Sequence, residues 1–263
     1  MSEKDPADEI VDFRGLWEGG YYEGDPTVPL GKTSYSSFGY ISILYATYLR
    51  CIRPYINGET AALEIGPGRG AWTKGMLGAR EVWVLDALSA EHNRFFEYLN
   101  DPANVKYIQV RDFACEELPD DYFNYCFSFG CLCHISFEGI TEYAKNLFGK
   151  MRPGSNCFWM VADRAKFEWF RKNADTFDIW KQLAPKRSGF APLKPLFDAF
   201  SRAKSPAFLD VDPFTGGEGR WHDAGADRTC EMLEQVGYEI VEKDVGTIPR
   251  DPIIHFRKPG AAE

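Results

Sequence analysis

Three glycines at alternate positions, Gly66, Gly68 and Gly70, form the most distinctive chemical pattern of the sequence. They follow a short apolar run, and an acidic residue, Glu64, stands two positions before the first of them. Because glycine has no Cβ, it adopts positive φ angles readily and lets a ligand approach the backbone closely. A helix that begins after this turn would direct its free N–H groups toward that ligand. The pattern therefore predicts a strand, a binding turn and a helix, as in nucleotide sites.

A second acidic residue, Asp86, ends another apolar run, which spans residues 81–86 and predicts a neighbouring strand. At the end of that strand its carboxylate could accept hydrogen bonds from both hydroxyls of a ribose, and such charge-assisted bonds are strong. The glycine spacing is G-x-G-x-G, whereas the dinucleotide fingerprint is G-x-G-x-x-G. Glu64 would also repel a pyrophosphate, whereas it would attract a sulfonium cation that carries an ammonium group. These residues disfavour a nucleotide-dependent oxidoreductase.

The block 64–70, which reads E-x-G-x-G-x-G after an apolar strand, resembles the first motif of class I S-adenosylmethionine-dependent methyltransferases. The resemblance covers residues 61–162 and, more weakly, residues 227–257. It implies S-adenosyl-L-methionine as the cofactor and S-adenosyl-L-homocysteine as the product. The cofactor-binding residues that it implies are Glu64, Gly66, Pro67, Gly68, Gly70, Asp86, Ala87, Leu88, Asp112, Phe113, Ser128 and Phe129.

Asp112 and Phe113 come directly after a predicted third strand over 105–110. In the family that the sequence resembles, an acid at this place accepts a hydrogen bond from the adenine amino group, and the next side chain contacts the ring. The residues themselves also allow a structural role, in which Asp112 caps a short helix over 114–118. Both interpretations stay open at this point.

Methyl transfer is a direct displacement at a carbon that the sulfonium already activates, so the protein must align the donor with the acceptor. An alcohol acceptor must also lose a proton, so we expect a base near the end of the fourth strand. His134 is the first candidate, because an imidazole titrates near neutral pH. Asp163, at the end of the fifth strand, and His222 with Asp223, after the cap, are the alternatives. His134 could instead only order its loop.

Two groups of residues carry side chains that metal ions use, but neither predicts a metal site. Residues 131–134 read C-L-C-H without a fourth ligand in view, and buried thiols explain the pattern better. Asp210 and Asp212, together with Asp163, could hold a divalent cation, but their spacing fits loop solvation or capping as well. We therefore expect no metal ion.

The elements that would position these residues alternate between strand and helix along the chain. Apolar runs predict strands over 61–65, 81–86, 105–110, 157–162, 238–243 and 252–257, with a further strand before Gly130 and a Pro-Gly turn at 153–154. The helices are predicted over 38–52, 90–99, 137–151, 164–177 and 226–236, and Gly237 ends the last of them. The alternation predicts an α/β fold with a doubly wound, seven-stranded, mostly parallel and Rossmann-like sheet whose last strand is antiparallel.

Four segments are predicted around this sheet. Residues 1–57 form an N-terminal lid and helix, although an extension packed on the sheet edge is the alternative, and residues 1–12 are expected to be frayed. By the same resemblance, the candidate lid residues are Tyr21, Tyr22 and the polar run 32–37. Residues 58–162 form the cofactor-binding core, and residues 222–263 complete it. Residues 163–221 form a cap insertion that builds the acceptor pocket.

The overall composition limits the possible partners. The 263 residues carry a formal net charge of −9 without a Lys/Arg run, which argues against nucleic acid, because phosphates need a basic face. No apolar run is long enough to span a membrane, and the polar start lacks a signal-peptide pattern. Seven scattered cysteines indicate reduced thiols, and we expect a cytoplasmic protein. The oligomeric state stays open, with a homodimer as one option.

Together these patterns predict an enzyme that methylates a hydroxyl group of a small molecule, such as a sugar or a secondary metabolite. The overall look of the chain is similar to bacterial sugar O-methyltransferases. The end of the fourth strand also lacks the N-P-P-[YF] signature of enzymes that methylate the exocyclic amines of bases. N- or C-methylation of a small metabolite is one alternative, and a non-catalytic S-adenosylmethionine-binding protein is another.

Overall fold

The computed structural model of the chain describes residues 9–11, 13, 19–20, 24–29, 42–174, 213–215 and 220–260. The predicted core over 58–162 lies within these ranges, as do the three candidate bases. Most of the predicted cap lies outside them. The individual residues named above that lie outside are Tyr21, Tyr22, the run 32–37, Asp210 and Asp212.

One seven-stranded sheet organises the chain. Its strands are β1 (Ala61–Ile65), β2 (Glu81–Asp86), β3 (Val105–Gln109), β4 (Phe123–Ser128), β5 (Met151–Met160), β6 (Glu239–Glu242) and β7 (Ile253–Arg257). Their order across the sheet is β3-β2-β1-β4-β5-β7-β6. The pairs among β1 to β5 are parallel, and β7 is antiparallel to both of its neighbours. The predicted Rossmann-like sheet with an antiparallel last strand is confirmed.

The helices that flank this sheet are short, and capping side chains fix the starts of two of them. From residue 42 onward, within the described ranges, they are α1 (Ile43–Thr47), α2 (Ala71–Met76), α3 (Phe95–Leu99), α4 (Phe137–Phe148), α5 (Arg164–Ala174) and α6 (Ala226–Val236). A π-helical turn, Tyr48–Ile52, continues α1, and a 3₁₀ turn, Leu132–His134, follows β4. Ser42 caps α1 and Ser136 caps α4, because each hydroxyl accepts a hydrogen bond from the backbone N–H three residues later.

Apolar side chains cover both faces of the sheet, which is why β1 is buried along its whole length. Successive side chains of a strand point to opposite faces, so Leu63 and Ala62 belong to different hydrophobic clusters. The Leu63 cluster includes Leu233 of α6, and the Ala62 cluster includes Trp72 of α2. Glu64 lies on the same face as Ala62, so its carboxylate is on the side of the sheet that α2 covers.

The helix predicted over 38–52 is less regular than its apolar spacing indicates. Residues 38–41 lie outside the described ranges, and α1 starts only after Ser42. Its second half is π-helical, with the Arg53 N–H donating to the Tyr48 carbonyl at 2.9 Å. The apolar spacing does not distinguish hydrogen bonds to the fourth preceding residue from those to the fifth, so the π-helical part could not be predicted.

The helix predicted over 90–99 is wrong in its first half, because only the last five residues are α-helical. Arg94 interrupts it with a φ of 54°. The preceding residue, Asn93, is buried, and its side chain binds the Gly20 N–H at 3.0 Å and the Tyr107 hydroxyl at 2.9 Å. We infer that these tertiary contacts outweigh the helical preference of the segment.

The fifth strand is longer than predicted and contains the Pro-Gly pair that the sequence assigns to a turn. It begins at Met151. The preceding helix, α4, ends at Phe148, whereas the sequence predicts that it extends to residue 151. Its pairing with β4 is irregular, and residues 152–155 have no partner on that strand. Gly154 has a φ of 78°, and its N–H donates to the carbonyl of Lys258 at 2.8 Å. The predicted turn is therefore a bulge inside the strand.

The two ends of the described chain differ in how well the sequence predicts them. Ile10 is only 2% exposed, and Glu9 accepts a hydrogen bond from the Ser136 N–H at 3.1 Å, so the expectation that 1–12 is frayed is wrong there. At the other end, α6 has the predicted bounds. Gly237 ends it in the left-handed region with a φ of 114°.

Candidate active site

A cavity of about 820 Å³ lies at the edge of the sheet where the parallel strands end. The strand order reverses between β1 and β4, and open α/β sheets bind ligands in the crevice outside such a switch point. Eight of the predicted site residues line this cavity. They are Gly66, Pro67, Gly68, Asp86, Ala87, Leu88, Phe129 and His134. The sequence therefore predicts the position of the crevice and much of its wall.

The glycine turn leaves β1 in a conformation that excludes a side chain at its first position. Gly66 has a φ of 69°, and its N–H donates to the carbonyl of Leu85 at 2.8 Å, which fixes the turn to β2. A Cβ built on Gly66 would lie 2.3 Å from the Cβ and Sγ atoms of Cys131. Cys131 belongs to the loop after β4, so the absence of a side chain lets the loops of two neighbouring strands come together here.

Asp86 is fastened to the same turn. Its Oδ2 atom accepts a hydrogen bond from the Gly68 N–H at 3.3 Å, and its Oδ1 atom accepts one from the Leu88 N–H at 2.8 Å. Burial raises the pKa of Asp86 to about 6, and these two hydrogen bonds oppose that rise. The carboxylate at the end of β2 is therefore fixed in place but partly desolvated.

A side-chain network that sequence reasoning missed supports the β2 end of the cavity. The Asn93 amide donates to the Tyr107 hydroxyl at 2.9 Å, and that hydroxyl donates to the Leu88 carbonyl at 2.8 Å. The Asn93 carbonyl oxygen accepts from the Gly20 N–H at 3.0 Å. The network attaches part of the N-terminal segment to the loop after β2, and Gly19 is itself part of the cavity wall.

Three predicted cofactor residues lie behind the cavity wall instead of in it. The carboxylate of Glu64, which is 2% exposed, accepts a hydrogen bond from the Thr73 hydroxyl at 2.5 Å. Gly70 begins α2 with a φ of 98°. The Ser128 hydroxyl donates to the carbonyl of Ile65 at 3.0 Å. All three hold the turn and its flanking strands together, and their direct contact with a cofactor stays a prediction.

Asp112 and Phe113 do not line the cavity either. Asp112 is exposed and accepts a hydrogen bond from the Ala114 N–H at 2.9 Å, within a turn. Residues 114–118 form no helix, so the helix-capping alternative is wrong. The Phe113 ring packs against Tyr143 at 4.7 Å between ring centroids. The adenine contacts assigned to the pair stay a prediction, and Val110 is the cavity-lining residue of this segment.

His134 ends the 3₁₀ turn after β4 and lines the cavity on the side away from β2. Trp221, the last residue of the predicted cap, approaches it with 6.5 Å between the ring centroids at an angle of 77°. The neighbouring residue, His222, donates its backbone N–H to the Cys133 carbonyl at 2.8 Å, so the end of the cap is joined to the loop after β4. Burial lowers the pKa of the His222 imidazole. His222 is not among the residues that line the cavity.

Asp163 does not line the cavity, and its side chain instead has a structural role. One carboxylate oxygen accepts a hydrogen bond from the Lys166 N–H, and the other accepts one from the Ala226 N–H, both at 2.9 Å. These N–H groups belong to the first turns of α5 and α6, so a single side chain caps two helices. Its role as a base stays a prediction that its position does not support.

Arg250 is the cavity-lining residue that sequence reasoning most clearly missed. Its Nε donates to the carboxylate of the fully buried Asp251 at 2.6 Å, and its Cζ lies 4.0 Å from the ring centroid of Trp221. It belongs to the loop between β6 and β7. Because β7 is antiparallel to β5, this loop lies at the same edge as the ends of the parallel strands, and that topology was the available signal.

Two features are absent from the described residues. In the part of the chain that the structure describes, no group of three or more His, Cys, Asp or Glu side chains is placed to hold a metal ion. In the same part, every helix is too short or too polar to cross a bilayer.

Solved structures of methyltransferases share this fold at low sequence identity. An S-adenosylmethionine-dependent methyltransferase from Mesorhizobium loti gives a TM-score of 0.53 at 16% identity, over 82% of this chain and 98% of that one. The N-methyltransferase NodS from Bradyrhizobium japonicum WM9 gives 0.50 at 14% identity, over 82% and 97%. No protein-family model matches the sequence, and no curated protein matches it. The chain thus has the Rossmann-like fold of S-adenosylmethionine-dependent methyltransferases.

Proposed function

We propose that this protein is an S-adenosylmethionine-dependent methyltransferase that acts on a hydroxyl group of a small molecule. One observation carries the proposal: a single cavity joins the glycine turn and Asp86 to His134 at the end of β4. Its volume of about 820 Å³ is near the upper end of the range of about 300–1,000 Å³ that is usual for ligand sites. This volume supports a site that holds a cofactor and a small acceptor side by side.

The described residues fit the proposed cofactor at two points. At the turn, Gly68 lines the cavity without a side chain, which allows close approach of a ligand. At β2, a carboxylate has about four acceptor sites, so Asp86 has room for ribose hydroxyls beyond its bonds from Gly68 and Leu88. The buried Glu64 carboxylate would add negative potential near a cationic cofactor.

The cofactor, when bound, supplies an electrophilic methyl group, and the remaining tasks fall to the chain. The Trp72 and Phe129 rings, whose centroids are 4.5 Å apart, form an apolar wall that would exclude water from the reaction. The imidazole of His134 would accept the proton that the acceptor hydroxyl loses. Trp221 would restrict the acceptor to orientations beside that imidazole.

The alternatives differ in what they require of this cavity. A non-catalytic S-adenosylmethionine-binding protein would need its acceptor side filled by its own side chains, whereas this cavity extends past Cys133 to His134 and Arg250. N- or C-methylation of a small metabolite would use the same walls without the same need for a base. NodS, whose name gives it as an N-methyltransferase, has the same fold, so the O-specificity is the part of the proposal that most needs testing.

Two measurements test the proposal. Calorimetry with S-adenosylhomocysteine should show binding, and Asp86→Ala should weaken it by about 1–3 kcal/mol through loss of a charge-assisted interaction. Glu97→Ala, an exposed acid of α3, serves as the control. Methyl-labelled cofactor incubated with panels of sugars and hydroxylated metabolites should give a labelled ether. Absent cofactor binding would refute the proposal, and a labelled amine or carbon product would replace it by one of the alternatives.

A further inference from the structure

We propose that the acceptor of this site is a small organic anion, and that Arg250 binds its carboxylate or phosphate group. The inference rests on the proposed methyl transfer and names the chemical class of its acceptor. Arg250 is the only Lys or Arg among the described residues that line the cavity. The chain carries a net charge of −9, so a cationic side chain in this wall is not a consequence of a generally basic surface.

The topology separates this guanidinium from the cofactor end of the cavity. Asp86 ends β2, whereas Arg250 precedes β7 by three residues. From β2 the sheet order passes through β1, β4 and β5 to β7. Four steps between strands correspond to about 19 Å at about 4.8 Å each. A cofactor whose ribose is at Asp86 would therefore leave Arg250 to the acceptor.

The guanidinium is held in a fixed orientation by its neighbours. The buried Asp251 carboxylate occupies Nε at 2.6 Å, and the plane of Trp221 lies against the guanidinium carbon at 4.0 Å. No other group in the described ranges accepts a hydrogen bond from this side chain. Its Nη1 and Nη2 groups thus keep a pre-organised fork, and such a fork matches the two oxygens of a carboxylate or a phosphate. About a third of the side chain, 34%, is exposed.

The wall around Arg250 is mostly apolar and aromatic, and His134, which Trp221 approaches, is its polar residue. Trp221, Phe170, Met160 and Pro249 all line this side of the cavity. A site with one charged group among apolar walls binds a ligand with the same distribution, namely an apolar body that carries one anionic group. A neutral sugar would leave the Nη1 and Nη2 groups of the guanidinium without an anionic partner, so the inference narrows the acceptor class to hydroxylated organic acids and phosphate esters.

Direct binding tests this inference independently of turnover. The probes are 4-hydroxybenzoate, phenyl phosphate and the uncharged 4-hydroxybenzamide, titrated calorimetrically into protein saturated with S-adenosylhomocysteine. An anionic probe should bind about tenfold or more tightly than the amide, because a hydrogen-bonded charge pair contributes at least that factor. Arg250→Gln should remove this preference. Arg257→Gln is the matched control, since Arg257 pairs with Glu239 at the other end of β7, outside the cavity.

The outcomes separate this inference from the proposed function. Equal affinity for the charged and uncharged probes, including a lack of binding by all three, would overturn it, as would a preference that survives in Arg250→Gln. In either case unchanged affinity for S-adenosylhomocysteine would leave the proposed methyl transfer intact. If Arg250 only braces Trp221 and Asp251, then Arg250→Gln should lower the melting temperature without changing the ratio of probe affinities.

Discussion

The Thr73 hydroxyl donates a 2.5 Å hydrogen bond to the Glu64 carboxylate, and both groups are buried beneath the glycine turn. Removal of the donor would leave a buried carboxylate with one partner fewer. We expect Thr73→Val to lower the free energy of unfolding by about 1–3 kcal/mol, measured by urea denaturation. Thr73→Ser keeps the donor and should lose less. A larger loss in Thr73→Ser than in Thr73→Val would mean that packing of the γ-methyl group, and not the hydrogen bond, matters here.

The affinity for S-adenosylhomocysteine should depend on pH through Asp86. Burial raises the pKa of this carboxyl to about 6 in the protein alone, and hydrogen bonds from ribose hydroxyls would favour the ionised form. The affinity should therefore be constant well above pH 6 and fall below it, by at most about tenfold per pH unit. Calorimetric titrations between pH 5 and pH 8 would measure this. A profile of the same shape in Asp86→Asn would assign the dependence to another group.

The same raised pKa makes the stability of the fold change with pH in the direction opposite to the cofactor affinity. An acid that is harder to ionise in the folded state than in the unfolded state destabilises the fold as pH rises between its two pKa values. For Asp86 that window runs from its ordinary value of 3.8 to about 6. Asp86→Asn should therefore raise the melting temperature of the cofactor-free protein at pH 8, although it weakens cofactor binding. A lower melting temperature would show that the bonds to Gly68 and Leu88 outweigh the burial.

Gly66→Ala should lower the stability of the fold more than the same substitution at another glycine with a left-handed backbone. Gly154 has a similar φ, 78° against 69°, but open space around it, so Gly154→Ala should cost only about 1–2 kcal/mol of backbone strain. A Cβ at position 66 would also overlap Cys131, and overpacking adds about 1–3 kcal/mol. Thermal denaturation of both variants would measure the difference. Equal losses would indicate that the loop after β4 can move away from the turn.

Asp163→Ala should destabilise the fold more than it affects chemistry. The side chain caps both α5 and α6, and each cap is worth about 0.5–2 kcal/mol, so we expect a loss of about 1–4 kcal/mol in urea denaturation. Asp223→Ala is the comparison and should lose less, because Asp223 is exposed and accepts a hydrogen bond from the first turn of α5 alone, from the Arg164 N–H at 3.0 Å. Lost turnover with full stability would instead restore Asp163 as a candidate base.

His134→Gln should lower the turnover number by about 10²–10⁴-fold and leave the affinity for S-adenosylhomocysteine unchanged. The reason is that its imidazole lines the cavity, whereas His222 does not. His222→Gln should accordingly retain near-normal turnover. Single-turnover kinetics with a labelled cofactor would compare the two variants. Full activity of His134→Gln would exclude His134 as the base and would favour an acceptor that needs no proton removal.

The sequence predicts the strands that end at this site better than the loops and helices that connect them. Apolar runs predict β1 and β2 with correct bounds, because buried parallel strands leave an uninterrupted signal. The places of Gly66, Asp86 and His134 in one crevice follow from that. The break at Arg94 is a different case, because it depends on where Asn93 finds partners far away in the sequence. Local preference carries no information about such partners.

Arg250 and Asp163 show what the sequence does not reveal about this site, namely the position of individual side chains after the strands end. Arg250 lies on a loop that the predicted antiparallel direction of β7 brings to this edge, but that prediction does not say which residues of the loop face the cavity. Asp163 is the opposite case, a predicted site residue that the structure does not place in the cavity. It does follow β5, but its two oxygens face the first turns of two helices, and the second of these begins at Ala226, 63 residues after Asp163 in the sequence.

The cavity wall also contains two thiols, those of Cys131 and Cys133. Burial, with the negative charges of Asp86 and Glu64 nearby, raises the pKa of the Cys131 thiol above its ordinary range. Burial does the same for Cys133. Because the thiolate and not the thiol is the nucleophile, both sulfurs are held in their unreactive form. If the proposed alkylating cofactor binds in this cavity, these neutral thiols would be poor acceptors of its methyl group.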